Sequence, residues 1–345
     1  MKMKKKNYYN GQWTLSNNRI FCYVLGGRGI GKTFRFKKYM LDKFLKKGRQ
    51  FIYVRRYVID IEKTANNYFD DILTTDEYKD LDFKFQGNTY YINGEVAGYA
   101  IAVSQFIKMK SVSFPLVDTI VFDEFITENC DYLGGNKNPY LEPELCMNFY
   151  QSVARGIDRP IREEVRFFFI SNSVSINNPH FLIHGLDKKL VEGTKHILTD
   201  CISLEIADGK EIIDEIRNSQ FGKLIQNTKY GQFALDNQFY LDSNEFIAGE
   251  LPKNLKYIFT INYNDITLGV WKNERESLYY ITEKYDPSCV VNYSLTNSAH
   301  KVNTVLIQQN KTRPSVKLLK LAYEQGQVFF QNQRCKNILI TFLGL

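Results

Sequence analysis

At 345 residues, 44% hydrophobic and 24% charged, the chain is long enough for two domains and at least one sizeable core, which excludes a short disulfide scaffold, wholesale disorder and low-complexity sequence. The formal net charge of +7 is unevenly spread: residues 1–60 hold 16 Lys and Arg against 2 Asp and Glu, residues 301–345 hold 7 against 1, and residues 61–300 hold 22 against 35. Basic ends fit a polyanionic partner, because clustered cations gain by releasing the counterions condensed on nucleic acid, with a solvated basic face as the alternative. The six cysteines (Cys22, Cys130, Cys146, Cys201, Cys289, Cys335) make no CxxC pair and join no histidine cluster, so reduced thiols in an intracellular chain are expected, without zinc. The basic start MKMKKKNYYN leads into polar residues, and no run approaches the ~18 apolar residues of a membrane span. Neither export nor a membrane partner is expected.

In chain order, residues 20–25 (IFCYVL) read as a short buried strand that runs into GGRGIGKT at 26–33. The following FRFKKYMLDKFLKK has helical spacing and stops at Gly48. Residues 50–56 (QFIYVRR) form a second buried strand, which makes a β-α-β unit with a parallel sheet. Residues 83–92 alternate about a Gly-Asn turn as a hairpin, and TIVFDEF at 119–125 is a third buried strand ending in two acids. A helix is expected at 141–155, and a fourth strand, VRFFFISN, at 165–172. Residues 209–228 have polar helical spacing and read as a linker. The last hundred residues offer three strands (YIFTINYN, ITLGVWKN, SLYYITEKY), a helix at 313–325, the strand QVFF at 327–330 and a terminal helix, the order βββαβα of an RNase H-like domain. The expected organisation is an α/β P-loop domain at 1–200, a small helical linker at 201–250 and an RNase H-like α+β domain at 251–345.

Gly26, Gly31, Lys32 and Thr33 satisfy GxxxxGK[ST] between a strand and a helix, the context that makes the motif a P-loop. Glycines are needed because backbone N–H groups must wrap a phosphate at close range. Gly26, Gly27, Arg28, Gly29, Ile30, Gly31, Lys32 and Thr33 are therefore assigned to nucleotide binding, with Lys32 on the β- and γ-phosphates and the Thr33 hydroxyl on Mg²⁺. Asp123 is the second Mg²⁺ residue, and Glu124 is placed to polarise the attacking water. A glutamate directly after that aspartate points to ATP-hydrolysing motors of the additional-strand (ASCE) kind. Asn172, at the end of the fourth strand, is a γ-phosphate sensor or a cap. Among Arg155, Arg159, Arg162 and Arg166, one could act across a subunit interface as an arginine finger.

GGRGIGKT, FIYVRRY, TIVFDEFI, ISNSVS, YGQFALDNQF and TLGVW together resemble the DNA-packaging ATPases of phi29-like bacteriophages, from about residue 8 to the C-terminus. The resemblance implies a homomeric ring motor, a pentamer, docked on the procapsid through its portal connector and a packaging RNA, driving double-stranded DNA inward with ATP. Such a protein works in the cytoplasm of the infected bacterium and is absent from the mature virion. By position, the resemblance makes Arg155 the trans-acting arginine, with Arg159 and Arg162 as competitors, and Lys110 a basic residue near a neighbour's nucleotide. It places Arg55 and Arg56 near the DNA path, although Val58 stands where a further cation is expected.

Two-metal nucleases need converging carboxylates. Residues 255–263 contain none, Asp265 falls in a turn and Glu324 ends its helix, so a binding module without nuclease activity is expected. Lys317 and Lys320, with Lys311, Arg313, Arg334 and Lys336, are its candidates for nucleic-acid phosphates, and aromatics such as Tyr257, Phe259, Tyr279 and Tyr280 are assigned to its core. His180 and His184 lack the glutamate of HExxH and are expected on a surface helix or loop. A helicase or recombination ATPase, or a non-hydrolysing scaffold, shares most of these features.

Overall fold

The computed structural model describes residues 8–127, 131–135, 138, 140–156, 160–172, 175–176, 178–187, 189–190, 194–228, 231, 246–248, 251–307 and 313–344. They fall into two units: Met1–Leu133 with Tyr140–Leu241, and Gly134–Pro139 with Asp242–Leu345.

The first unit is built on a nine-stranded sheet: β1 (Phe21–Leu25), β2 (Gln50–Arg55), β3 (Phe83–Gln86), β4 (Thr89–Ile92), β5 (Glu95–Ala102), β6 (Val117–Asp123), β7 (Arg166–Ser171), β8 (His196–Leu198) and β9 (Ile202–Ile206). Their spatial order is β3-β4-β5-β2-β6-β7-β1-β9-β8. The six central strands, β5 to β9 in that order, are parallel; β3, β4 and β8 are antiparallel additions at the edges. Every residue of β1, β6 and β7 is buried, as in a sheet covered on both faces.

Side-chain alternation divides the core. Tyr23, Val54, Phe122 and Phe169 face one layer with Leu145 and Phe149; Val24, Tyr53, Val121 and Phe168 face the other with Phe36 and Met40. The helices are α1 (Gln12–Ser16), α2 (Lys32–Lys47), α3 (Val58–Thr64), α4 (Asp70–Leu73), α5 (Leu141–Val153), α6 (Pro179–Ile183), α7 (Lys210–Asn218) and α8 (Gln220–Ile225), with a 3₁₀ helix at Val103–Met109. The expected hairpin turns on Gly87 and Asn88, both at positive φ, 58° and 63°. Helix α2 stops at Gly48, whose φ of 62° lets its N–H reach the carbonyls of Lys43 and Phe44.

The sequence reading missed β5, β8 and β9. β9 pairs in parallel with β1, so the sheet runs past residue 200, and the helices assigned to a linker, α7 and α8, group with this unit. The strand was hidden because ISLEI carries a glutamate that is polar in sequence but buried in the fold.

The second unit holds β10 (Lys256–Tyr263), β11 (Ile266–Asn273), β12 (Leu278–Thr282), β13 (Asn292–Ser294), β14 (Val305–Leu306), α9 (Pro314–Glu324), β15 (Val328–Phe330) and α10 (Gln333–Leu343). The mixed sheet runs β14-β13-β10-β11-β12-β15. Its three-stranded antiparallel start, α9 and α10 are as expected, but two short strands come before α9. β13 pairs in parallel with β10, and β15 in parallel with β12. Phe259, Leu268, Ile281 and Leu319 form the centre of its core; Tyr279 and Tyr280 are buried as well.

Candidate nucleotide site

Four neighbouring parallel strands, β2, β6, β7 and β1, end along one edge of the sheet, where ligand crevices of open α/β sheets form. Each delivers one part of the site. β1 runs into the glycine loop. Gly26 has φ 155°, and a Cβ there would stand 2.9 Å from Ile30 Cδ1 and 3.1 Å from the Ala207 carbonyl; one on Gly31, at φ 96°, would press on Tyr8 at 3.1 Å. Only glycine fits either place.

Lys32 opens α2 and folds back over the loop, donating from Nζ to the carbonyls of Gly26 (2.8 Å) and Gly27 (2.6 Å), with Asn172 Oδ1 at 3.5 Å. Burial lowers its pKa to about 8, against the pull of Asp123. Thr33 Oγ1 donates to Asp123 Oδ1 at 3.3 Å. Burial also pushes the Asp123 carboxyl up, opposed by Arg55. A cation and an anion held this far from water are poised for ligands of opposite charge.

Beyond β6 the chain turns sharply. Glu124 has φ 58°, unusual for a non-glycine residue, and its N–H and that of Phe125 both reach the Ile170 carbonyl of β7, at 2.8 and 3.3 Å. The turn leaves the Glu124 carboxylate exposed at the rim, where Arg55 Nη2 of β2 donates to Oε2 at 2.6 Å. Lys32, Thr33, Asp123, Glu124 and Asn172 line one cavity of about 630 Å³, with Tyr8 as a wall; a neighbouring cavity of about 360 Å³ shares Arg28, Glu124 and Asn172 and adds Arg55.

Other assigned residues lie elsewhere. Arg56, expected near DNA, is buried: Nε and Nη2 bind Glu142 in a fork at 2.7 and 2.8 Å, and Nη2 also reaches the Phe125 carbonyl. Its guanidinium is committed to Glu142 and the Phe125 carbonyl, although it borders the cavity of about 360 Å³, and its neighbour Arg55 is engaged by Glu124. His180 completes the Arg56–Glu142 cluster at 3.1 Å from Glu142 Oε1, so it is not a surface residue; burial lowers its pKa, and that of His184 to about 4.

The arginines separate cleanly. Arg162 donates to four backbone carbonyls, those of Phe114, Pro115, Val117 and Val153, and Arg166 to those of Thr14, Leu15 and Arg19. Both are structural ties, which removes Arg162 as a finger. Arg155 is exposed just beyond α5, Lys110 is exposed at the end of the 3₁₀ helix, and Arg159 lies outside the described residues. In the second unit Lys317 is exposed and Lys320 half-buried on α9, Arg334 is buried, and Lys311 is outside the described residues, as are Ser173 and Val174 of ISNSVS and most of YGQFALDNQF. Among the described residues, no group of three or more His, Cys, Asp or Glu is gathered for a metal, and no helix is long and apolar enough to cross a membrane.

β7 stands between the strand that carries the glycine loop and the strand that carries the paired acids, so the class is that of additional-strand P-loop ATPases. A family profile described as podovirus DNA encapsidation protein (Gp16) matches residues 3–343. The DNA packaging protein of Bacillus phage phi29 is 39% identical over 338 residues, 97% of either chain, and that of Bacillus phage B103 is 39% identical over 327 residues, 94% of this chain and 96% of the relative. In the bacteriophage phi29 viral genome packaging motor assembly, a chain of 38% identity superposes with a TM-score of 0.74, covering 96% of this chain and 97% of its own length. The crystal structure of the N-terminal domain of the DNA packaging ATPase from the same phage matches 59% of this chain and 97% of its own length at 38% identity and a TM-score of 0.51. The protein belongs to the podovirus DNA encapsidation family.

Proposed function

We propose that this protein is the ATP-driven motor subunit that moves double-stranded viral DNA into a preformed procapsid. The observation that carries the reading is the meeting of Lys32, Thr33, Asp123, Glu124 and Asn172 around one cavity, in a chain of the encapsidation family. ATP is the substrate. The loop's N–H groups and the start of α2 take its phosphates, and Lys32 exchanges its hold on the Gly26 and Gly27 carbonyls for phosphate oxygens. Thr33 and Asp123, already in contact, are the residues that would hold Mg²⁺, and the buried carboxylate of Asp123 suits a divalent cation. The ion neutralises charge on the phosphate oxygens when bound. Glu124 orients and polarises the attacking water, and Asn172 reads the γ-phosphate from the strand between them.

ATP binds between subunits of a ring, with Arg155 supplied in trans and Lys110 beside the neighbour's nucleotide; both are exposed, as a residue that serves another subunit must be. The ring is a pentamer that meets the portal connector and a packaging RNA. The second unit is a binding module without nuclease activity, and Lys317 and Lys320 offer α9 to nucleic-acid phosphates.

Steady-state ATP hydrolysis without DNA, with single-stranded DNA and with duplex DNA tests the reading, with Glu124→Gln as the blank. Stimulation mainly by duplex, absent in the variant, is expected. Preference for single strands with strand separation would instead mark a helicase, and binding without turnover, even on a portal ring, a scaffold.

A further inference from the structure

Residues 8–16 start beside the phosphate loop and pass to Arg166 at the beginning of β7, and one buried carboxylate ties them to the sheet. Glu205 of β9, register partner of Val24 in β1, accepts two hydrogen bonds on the same oxygen, Oε2: from the Tyr9 hydroxyl at 2.8 Å and from Thr14 Oγ1 at 2.5 Å. The carboxylate and both hydroxyl-bearing residues are buried. At its start the segment touches the site directly. The Tyr9 N–H donates to the carbonyl of Ile30 at 2.9 Å, between two left-handed glycines of the loop, and Tyr8 packs on Gly31 and walls the cavity. Arg35 of α2 ties the Asn10 carbonyl at 2.5 Å, and Arg166 ties those of Thr14 and Leu15 at 2.6 and 3.0 Å.

We infer that Glu205 is a positioning residue for the nucleotide, which acts by clamping the 8–16 segment so that Tyr9 fixes the shape of the phosphate loop and Tyr8 closes its cavity. The inference rests on the reading of that cavity as the ATP site. The physical basis is preorganisation. A loop of N–H donors binds phosphate well only if its shape is already set, and Ile30 is the point where the segment sets it. A glutamate buried in a sheet of apolar strands is costly unless its hydrogen bonds are made, and here both known donors come from this one segment.

The test uses the full chain, with MgATP affinity measured by calorimetry, steady-state turnover, and hydrogen exchange at the Tyr9 amide. Glu205→Ala is expected to weaken ATP binding and raise KM by about ten-fold, the part of the lost hydrogen bonding that reaches the phosphate loop through Tyr9, while kcat changes by less than about two-fold. Exchange at Tyr9 should accelerate. Glu205→Gln, which keeps an acceptor oxygen, should recover most of the affinity. Tyr9→Phe and Thr14→Val remove one donor each and should cost about three-fold each, so they carry the test if Glu205→Ala does not fold. A purely structural role would lower thermal stability and active fraction with an unchanged ATP dissociation constant and no rescue by glutamine; that result overturns the clamp. If Lys32→Ala abolishes binding while every clamp variant binds ATP like wild type, the clamp alone falls. If the wild-type chain binds no ATP, the site reading falls and the clamp with it.

Discussion

The two units place their ionisable groups differently. In the first, many charges are buried: Lys32, Asp123, Arg56, Glu142 and Glu205, as well as Asp118, Arg162 and Arg166, lie largely out of water. In the second, the buried polar residues are mostly hydroxyls, such as Thr260, Thr282, Ser294 and Thr296, and the Lys256–Glu274 pair stands in solvent. Buried charge weakens a fold unless each group is partnered, as Arg56, Glu142, Arg162 and Arg166 are, while Lys32 and Asp123 line the candidate nucleotide cavity. The difference is one of composition: partnered buried charge is concentrated in the first unit and is sparse in the second.

The sharpest way to break this contrast is at Glu124. Glu124→Gln should reduce ATP turnover by about 10²- to 10⁴-fold while leaving ATP affinity near wild type, measured by turnover and calorimetry. A fall in affinity with turnover intact would move the glutamate out of its assigned role. Next in size is the buried cluster. Burial alone would raise the Glu142 carboxyl, but hydrogen bonds from His180 and Arg56 outweigh it and hold the pKa at about 2. Glu142→Ala strands Arg56 without its partner and should cost about 3–5 kcal/mol in urea unfolding. Lys256→Ala, which removes an exposed pair, should leave the unfolding midpoint unchanged. Because the folded Glu142 pKa lies below its ordinary value of 4.5, its stabilisation is complete above that pH and fades as pH falls toward 2. Equal costs for the two substitutions would erase the distinction between the units.

The smallest effect is on pH dependence. Burial brings the Lys32 pKa down to about 8, and phosphate favours the charged form, so binding is expected to take up a proton above that pH. ATP affinity should be flat below pH 8 and then fall by up to about ten-fold per unit, until the pKa of the bound state is passed. Calorimetry in buffers of different ionisation enthalpy would detect the proton uptake. A flat profile to pH 9.5 would mean that Lys32 does not change protonation when ATP binds in this range.

The glycine loop, its flanking strand and helix, and the paired acids were legible because each is a contiguous run whose residue types answer a local demand: positive φ and close approach at Gly26 and Gly31, burial on both faces for IFCYVL and TIVF. The short strands were not. β5 contains Gly98, β9 contains Glu205, and β13 and β14 are three and two residues long, so none shows the period of a strand in isolation.

Sequence alone determined that this chain has a strand–glycine loop–helix, a buried strand ending in Asp123 and Glu124, and a separate C-terminal sheet, because local backbone requirements and alternating burial leave marks on adjacent residues. The partners of Arg55 and Arg56, the division of the other arginines into buried ties and an exposed one, and the bond from Tyr9 to Glu205 across 196 positions arise only when the chain is folded. Two neighbouring arginines with the same chemistry meet different partners because consecutive side chains leave an extended backbone in opposite directions, and those partners are brought there by distant segments of the chain.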